Sequence, residues 1–159
     1  LYNVSIVAQI VKRFQKEDAV VIYVPDHGEE CYEEDRGFIC RNHSANIDWP
    51  LAHYEFEIPF WIYCSPKYIR NHRDIYRQIR KAKDKRFMTD ALPHLLLYLA
   101  GIETPTYKEE YNILSPKYNE MRPRILKNSA DYDQLRDEHL EKVEKEKSKK
   151  EKSKKGDKK

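Results

Sequence analysis

An aspartate and a histidine stand side by side at residues 26 and 27, directly after the apolar run Val20-Val21-Ile22-Tyr23-Val24 and Pro25. A carboxylate and an imidazole together suit a divalent metal, and zinc is the first choice for such donors. Gly28 would let the backbone turn sharply and approach a ligand. Glu29 would orient a ligating residue through a hydrogen bond, and Pro25 would stiffen the approach. The bland alternative is that Asp26 caps a turn and His27 lies on the surface. Two side chains cannot close a metal site, so further ligands are required. His43, further along the same stretch, is the next metal-capable imidazole.

These residues need elements to hold them. Residues 19–24 form a continuous apolar, β-branched run, the pattern of a strand buried on both faces, as in a parallel sheet flanked by helices. Pro25 removes a backbone donor and ends it. Sites in α/β sheets lie at the carboxyl ends of strands, which is where Asp26 and His27 would sit. Residues 3–16 read as an amphipathic helix, with Ile6, Ile10, Val11 and Phe14 at helical spacing. Residues 26–56 have no clean period and read as a long loop, a length more often functional than ordinary. Residues 58–64 form a second strand-like run. A helix follows from Ser65 as N-cap and Pro66 as its first residue, through "SPKYIRNHRDIYRQIRKAK". A further helix lies in "RFMTDALPHLLLYLAGI". It is capped by Thr89 or Asp90, striped by Leu92, Leu95, Leu96 and Leu99, and ended by Gly101. Residues 104–128 are irregular, and 131–143 read as a polar helix running into the tail. The order helix, strand, loop, strand, helix, helix is an α/β layout.

Charge excludes one class of partner. Residues 144–159 carry nine lysines and four acids, leaving 21 basic and 23 acidic residues before them. The basic pI therefore belongs to the tail, and no nucleic-acid partner is implied. The plain reading of the tail is a solvated lysine run; the sharper one is weak contact with an anionic membrane. Cys31 and Cys40 could pair in an oxidising compartment, whereas Cys64, in an apolar run, reads as a buried free thiol. No stretch reads as a signal peptide or a transmembrane span. The chain opens inside a helical pattern, which raises the expectation that an N-terminal part is missing.

"VVIYVPDHGEE" resembles the Asp-His-Gly-Glu segment of the sulfatase and phosphoethanolamine transferase group in the alkaline phosphatase superfamily. "RNHSA" resembles the family's next histidine position, and "YEFEIPFWIYCSPKY" its Ile-Pro strand. "FMTDALPHLLLYLAGIET" resembles its Leu-rich helix, and "DYDQL" the close of some transferase members. The likeness covers roughly residues 1–135 and implies the C-terminal portion of a sulfatase-like catalytic domain. Its fold would be a partial alkaline-phosphatase-like sheet flanked by helices, α/β in class. Residues 136–159 would be a charged tail, disordered or helical. The activity implied is a zinc-dependent transfer of phosphoethanolamine from a phospholipid donor to lipid A or another surface glycan. It would proceed by two displacements through a phosphorylated threonine, with zinc activating the hydroxyl and stabilising phosphoryl charge. The enzyme would be held in the bacterial inner membrane by N-terminal segments, its catalytic domain facing the periplasm. Asp26 and His27 would ligate zinc, and His43 would contact the phosphoryl group or a second metal.

Two departures stand against that pattern. No threonine precedes Thr89, so the nucleophile and half of the site are expected to lie outside these 159 residues. Glu57 stands before Ile58-Pro59 where better-known members have histidine. A carboxylate there would repel phosphate unless a metal or proton intervenes, or His53 takes the role. Two other readings compete. One is a sulfatase or related hydrolase of the superfamily, whose nucleophile would also lie upstream. The other is a non-catalytic metal-binding remnant. His72 and Arg70, Arg73, Arg77 and Arg80 read as a solvated helix face.

Overall fold

The computed structural model describes residues 2–33, 39–40 and 46–156. The chain divides into two compact units, residues 1–24 with 59–122, and residues 25–58 with 123–159. The architecture is α/β, with small sheets flanked by helices.

The first unit contains α1 (Tyr2–Phe14), β1 (Val20–Tyr23), β4 (Trp61–Cys64), α3 (Pro66–Asn71), α4 (Arg73–Ala82) and α5 (Leu92–Leu99). β1 pairs with β4 antiparallel, from Val20 opposite Cys64 to Tyr23 opposite Trp61. This corrects the expectation of a parallel strand buried on both faces. All four β1 residues are only half-buried. An apolar, β-branched run reports a strand but not the direction of its partner.

Ser65 ties the strands to the helix that follows. Its Oγ accepts from the Tyr68 N–H (3.1 Å) and the Ala19 N–H (3.3 Å), and its hydroxyl donates to the Glu17 carbonyl (2.5 Å). The single helix expected after it is two. His72 breaks the run at φ −125°, ψ 50°, its N–H closing α3 on the Tyr68 carbonyl. Neither Thr89 nor Asp90 caps α5 through its side chain. A 3₁₀ turn, Thr89–Ala91, leads in instead, and Asp90 pairs with Arg122 (2.5 and 2.6 Å). Gly101 ends the helix at φ +66°, with the Ile102 N–H on the Leu97 carbonyl (2.9 Å). Leu95 is buried with Ala82, Ile113 and Leu114, and Leu92 and Leu99 pack against them; Leu96, placed in the stripe, is exposed.

The second unit contains β2 (Glu30–Cys31), β3 (Ile39–Cys40), α2 (Trp49–Phe56), β5 (Ile125–Leu126), β6 (Ala130–Asp131) and α6 (Tyr132–Gly156). The loop expected over 26–56 thus holds two short strands and a helix. Asp48 caps α2, its Oδ1 accepting from the Leu51 N–H (3.0 Å), and Pro50 sits in the first turn. β5 and β6 form a hairpin through Lys127 (φ 47°) and Asn128 (φ 56°), closed by the Ser129 N–H on the Leu126 carbonyl (3.0 Å). Two central residues with positive φ make a turn whose twist matches the strands. Ala52, Leu126 and Tyr132 are buried together, with Trp49, Phe56 and Leu135 packed around them. The polar helix expected over 131–143 starts at Tyr132 and continues through the charged tail to Gly156. Among the described residues no helix is long and apolar enough to cross a membrane.

Candidate metal centre

Asp26 and His27 leave β1 through Val24 and Pro25. Asp26 is exposed, and its Oδ1 accepts from the His27 N–H (3.1 Å). His27 is half-buried, with Nδ1 2.8 Å from the Gly28 carbonyl oxygen. A carbonyl only accepts, so Nδ1 carries the proton and donates, and in the neutral ring Nε2 presents its lone pair. Nε2 lies 3.5 Å from Asp26 Oδ2.

That spacing provides a test of fit. Two ligands about 2.1 Å from a tetrahedral zinc stand about 3.4 Å apart. The pair has the donor types, the separation and a fixed tautomer, the last through a backbone carbonyl of the kind that commonly orients metal-bound histidine. Two donors alone do not close a metal site. Among the described residues no group of three or more His, Cys, Asp or Glu side chains is arranged to hold a metal. His43 lies outside the described residues.

Gly28 is placed by contact with α2. Its N–H donates to the Glu55 carbonyl (2.9 Å), and a methyl group there would overlap the Tyr54 carbonyl oxygen. The close approach that requires glycine is to the helix backbone. Glu29 is exposed beside it. Two carboxylates that sequence reasoning passed over are buried in this unit: Glu30 on β2 and Glu55 on α2, 1% and 0% exposed. No sequence pattern marks them, because each is buried by packing between β2 and α2.

His53 and Glu57 meet at the C-terminal end of α2, Nδ1 to Oε1 at 3.0 Å. The Tyr132 hydroxyl also donates to Glu57 Oε1. Burial pushes the Glu57 carboxyl up. The hydrogen bonds from Tyr132 and His53, with the charges of His53 and Arg124, outweigh it and hold the carboxyl below its ordinary value. Burial and the adjacent carboxylate push the Tyr132 phenol far up. Arg124 lies over the Tyr132 ring at 4.3 Å and pairs with Asp133 at 2.6 Å. Trp49 stacks on both His53 (5.5 Å) and His139 (5.3 Å).

The thiols separate by environment. Cys64 is a buried free thiol, pushed up by burial, and Cys31 is free and exposed. The side chain of Cys40 lies outside the described residues.

No protein-family model matches this chain, and no curated protein does. The fold is similar to that of the periplasmic domain of a phosphoethanolamine transferase. The solved structures that carry this likeness are the C-terminal periplasmic domain of EcEptC from Escherichia coli and the same domain in complex with Zn. Each is 28% identical with a TM-score of 0.67, over 85% of this chain and 38% of that one. The chain therefore spans well under half the length of the domain it matches.

Proposed function

We propose that this chain is the C-terminal portion of a zinc-dependent phosphoethanolamine transferase that acts at the periplasmic face of the bacterial inner membrane. Its substrates would be a phospholipid donor and lipid A or another surface glycan. The observation that carries the reading is the Asp26–His27 pair, with its 3.5 Å donor separation and proton-fixed imidazole, within a fold similar to a periplasmic domain solved with Zn. Zinc bound there would supply positive charge to a nucleophile and to phosphoryl oxygens. Asp26 would contribute a carboxylate and His27 its Nε2. The Gly28 carbonyl keeps the proton on Nδ1, and the packing of Gly28 on α2 fixes that carbonyl. His43 is proposed to meet the phosphoryl group or a second metal. The nucleophile and the membrane anchor would come from outside residues 1–159.

Zinc titration with the intact chain tests this reading. Two or three donors should bind zinc in the micromolar range or weaker, and Asp26→Ala or His27→Ala should each weaken binding at least tenfold. Binding unchanged in both variants would refute the assignment. Joined to the rest of a transferase domain, the same variants should lose transfer. The alternative of a non-catalytic metal-binding remnant gains some support from the two-donor set, and predicts zinc binding with no transfer in that joined protein.

A further inference from the structure

The charges of α6 are sorted along its length. From Tyr132 to Glu146 it carries six acidic and three basic residues, and from Lys147 to Gly156 one acidic residue and six lysines. Residues 157–159 add two lysines and one aspartate. In the first stretch acids and bases are mixed and can pair along the helix. Glu141 holds Lys145 at 3.2 Å, four residues on, in the order that best supports a helix. Mixed charges mark a solvated helix face, whereas a block of one sign marks an interaction segment. α6 has the first pattern up to Glu146 and the second after it.

The helix macrodipole accounts for only part of this sorting. It favours acids at a helix start and lysines at its end, but its influence falls off within the last turn. The lysine block, Lys147 to Gly156, runs for about 15 Å, nearly three turns. Nor does packing explain it. The contacts of α6 with the core, through Tyr132, Leu135 and His139, all come before the block. Every residue from Glu144 to Lys150 is exposed, and Lys147 stands about 12 Å along the helix from His139.

We propose that the lysine block of α6 is a docking segment for an anionic lipid surface. Its charge calls for a polyanion, and its composition selects a bilayer among polyanions. The block has no arginine to fork onto phosphates or bases and no aromatic ring to stack on them. Compact ammonium groups suit a diffuse array of headgroups, each lysine adding to the attraction. At about 100° per residue the six lysine positions are spread round the whole helix axis. No apolar residue follows Val143, so the block has no apolar face to insert. It is held by charge alone, in any rotation about its axis. The net-acidic stretch before it is repelled by the same surface, so α6 meets lipid through its lysine end. The inference rests on α6 and not on the transferase reading.

Co-sedimentation of the intact chain with vesicles tests it. At about 50 mM salt the chain should bind phosphatidylcholine vesicles containing about 30% phosphatidylglycerol, and not vesicles of phosphatidylcholine alone. Raising the salt to about 0.5 M should weaken binding about tenfold or more. Lys147→Gln, Lys149→Gln and Lys150→Gln together should weaken it about tenfold or more, with an unchanged circular dichroism spectrum, because glutamine is a comparable helix former. Glu144→Lys with Glu146→Lys, which extends the block, should tighten it severalfold. Equal binding to neutral vesicles overturns the proposal, as does binding that resists both salt and the glutamine changes. Tighter binding to a duplex DNA of about 20 base pairs at the same salt also overturns it, and makes the partner a nucleic acid. A pellet that forms without vesicles overturns it in favour of pairing between the acidic and basic stretches of two copies. In the joined protein, vesicle binding without transfer would sink the transferase reading alone. Transfer by a joined protein whose α6 ignores anionic vesicles would sink the docking segment alone.

Discussion

Gly28→Ala places one methyl group where the α2 backbone already stands. The atom it meets is the Tyr54 carbonyl oxygen, and no rotamer change can move a backbone atom aside. Overpacking of this kind costs about 1–3 kcal/mol. Moving the turn away also breaks the bond from the Gly28 N–H to the Glu55 carbonyl (2.9 Å), worth about 0.5–1.5 kcal/mol. The expected loss is about 2–4 kcal/mol in the second unit. Trp49, stacked on His53 and His139 in that unit, reports its unfolding. Trp61→Phe in both proteins removes the other indole from the signal. With a urea slope near 1 kcal/mol/M, the midpoint should fall by about 2 M or more. Glu29→Ala, next door and exposed, should stay within about 0.5 kcal/mol. A midpoint shift under about 0.5 M at unchanged slope for Gly28→Ala would refute the packing argument. It would also remove the reason for treating the Gly28 carbonyl as a fixed acceptor for His27.

Tyr132→Phe deletes the hydroxyl that donates to Glu57, and should cost about 1–2 kcal/mol, toward the low end because Glu57 is partly exposed. The Glu57 carboxyl is held below its ordinary value near 4.5. Its contribution is therefore full above that pH and is lost as pH falls through the lower folded value. Urea midpoints from pH 3 to 6 should show this acid loss, and Tyr132→Phe should flatten it. Alkylation mapped by mass spectrometry should label Cys31 in the native chain and Cys64 only in denaturant, because burial both shields Cys64 and pushes its thiol up. Removing residues 144–159 should leave the unfolding free energy within about 0.5 kcal/mol of the parent, since the contacts of α6 with the core, through Tyr132, Leu135 and His139, all precede residue 144.

What could be read from the sequence was local. Ser65-Pro66 announced a helix start, Gly101 a helix stop, and the two apolar runs proved to be strands. The misses have physical causes. The pattern "DWPLAHYEF" carries a capping aspartate, an early proline and Trp49, Ala52 and Phe56 at helical spacing, but two turns are too short for that period to stand out from the irregular stretch around it. The β5–β6 turn needs positive φ at Lys127 and Asn128, and lysine carries no mark of that conformation. The break at His72 interrupts a sequence whose propensity is helical throughout. Asp26 and His27 could be picked out as a pair because they are neighbours. Glu57 and Tyr132 meet across 75 residues, and no spacing rule reaches that far.

Glu57 also shows how a structure can answer an objection raised from sequence. A carboxylate before Ile58-Pro59 reads as a source of repulsion for phosphate, to be relieved by a metal or a proton. Neither is needed to explain its place. Its net shift is downward, so it remains ionised, and its charge is met by the Tyr132 hydroxyl and His53, with Arg124 nearby. The same set anchors α2 to α6, because Glu57 follows α2 directly while Tyr132 opens α6. His53, weighed as a stand-in for the family histidine, is already paired with that carboxylate at 3.0 Å. Any contact between His53 and a phosphate would therefore compete with its pairing to the carboxylate that Tyr132 binds from α6.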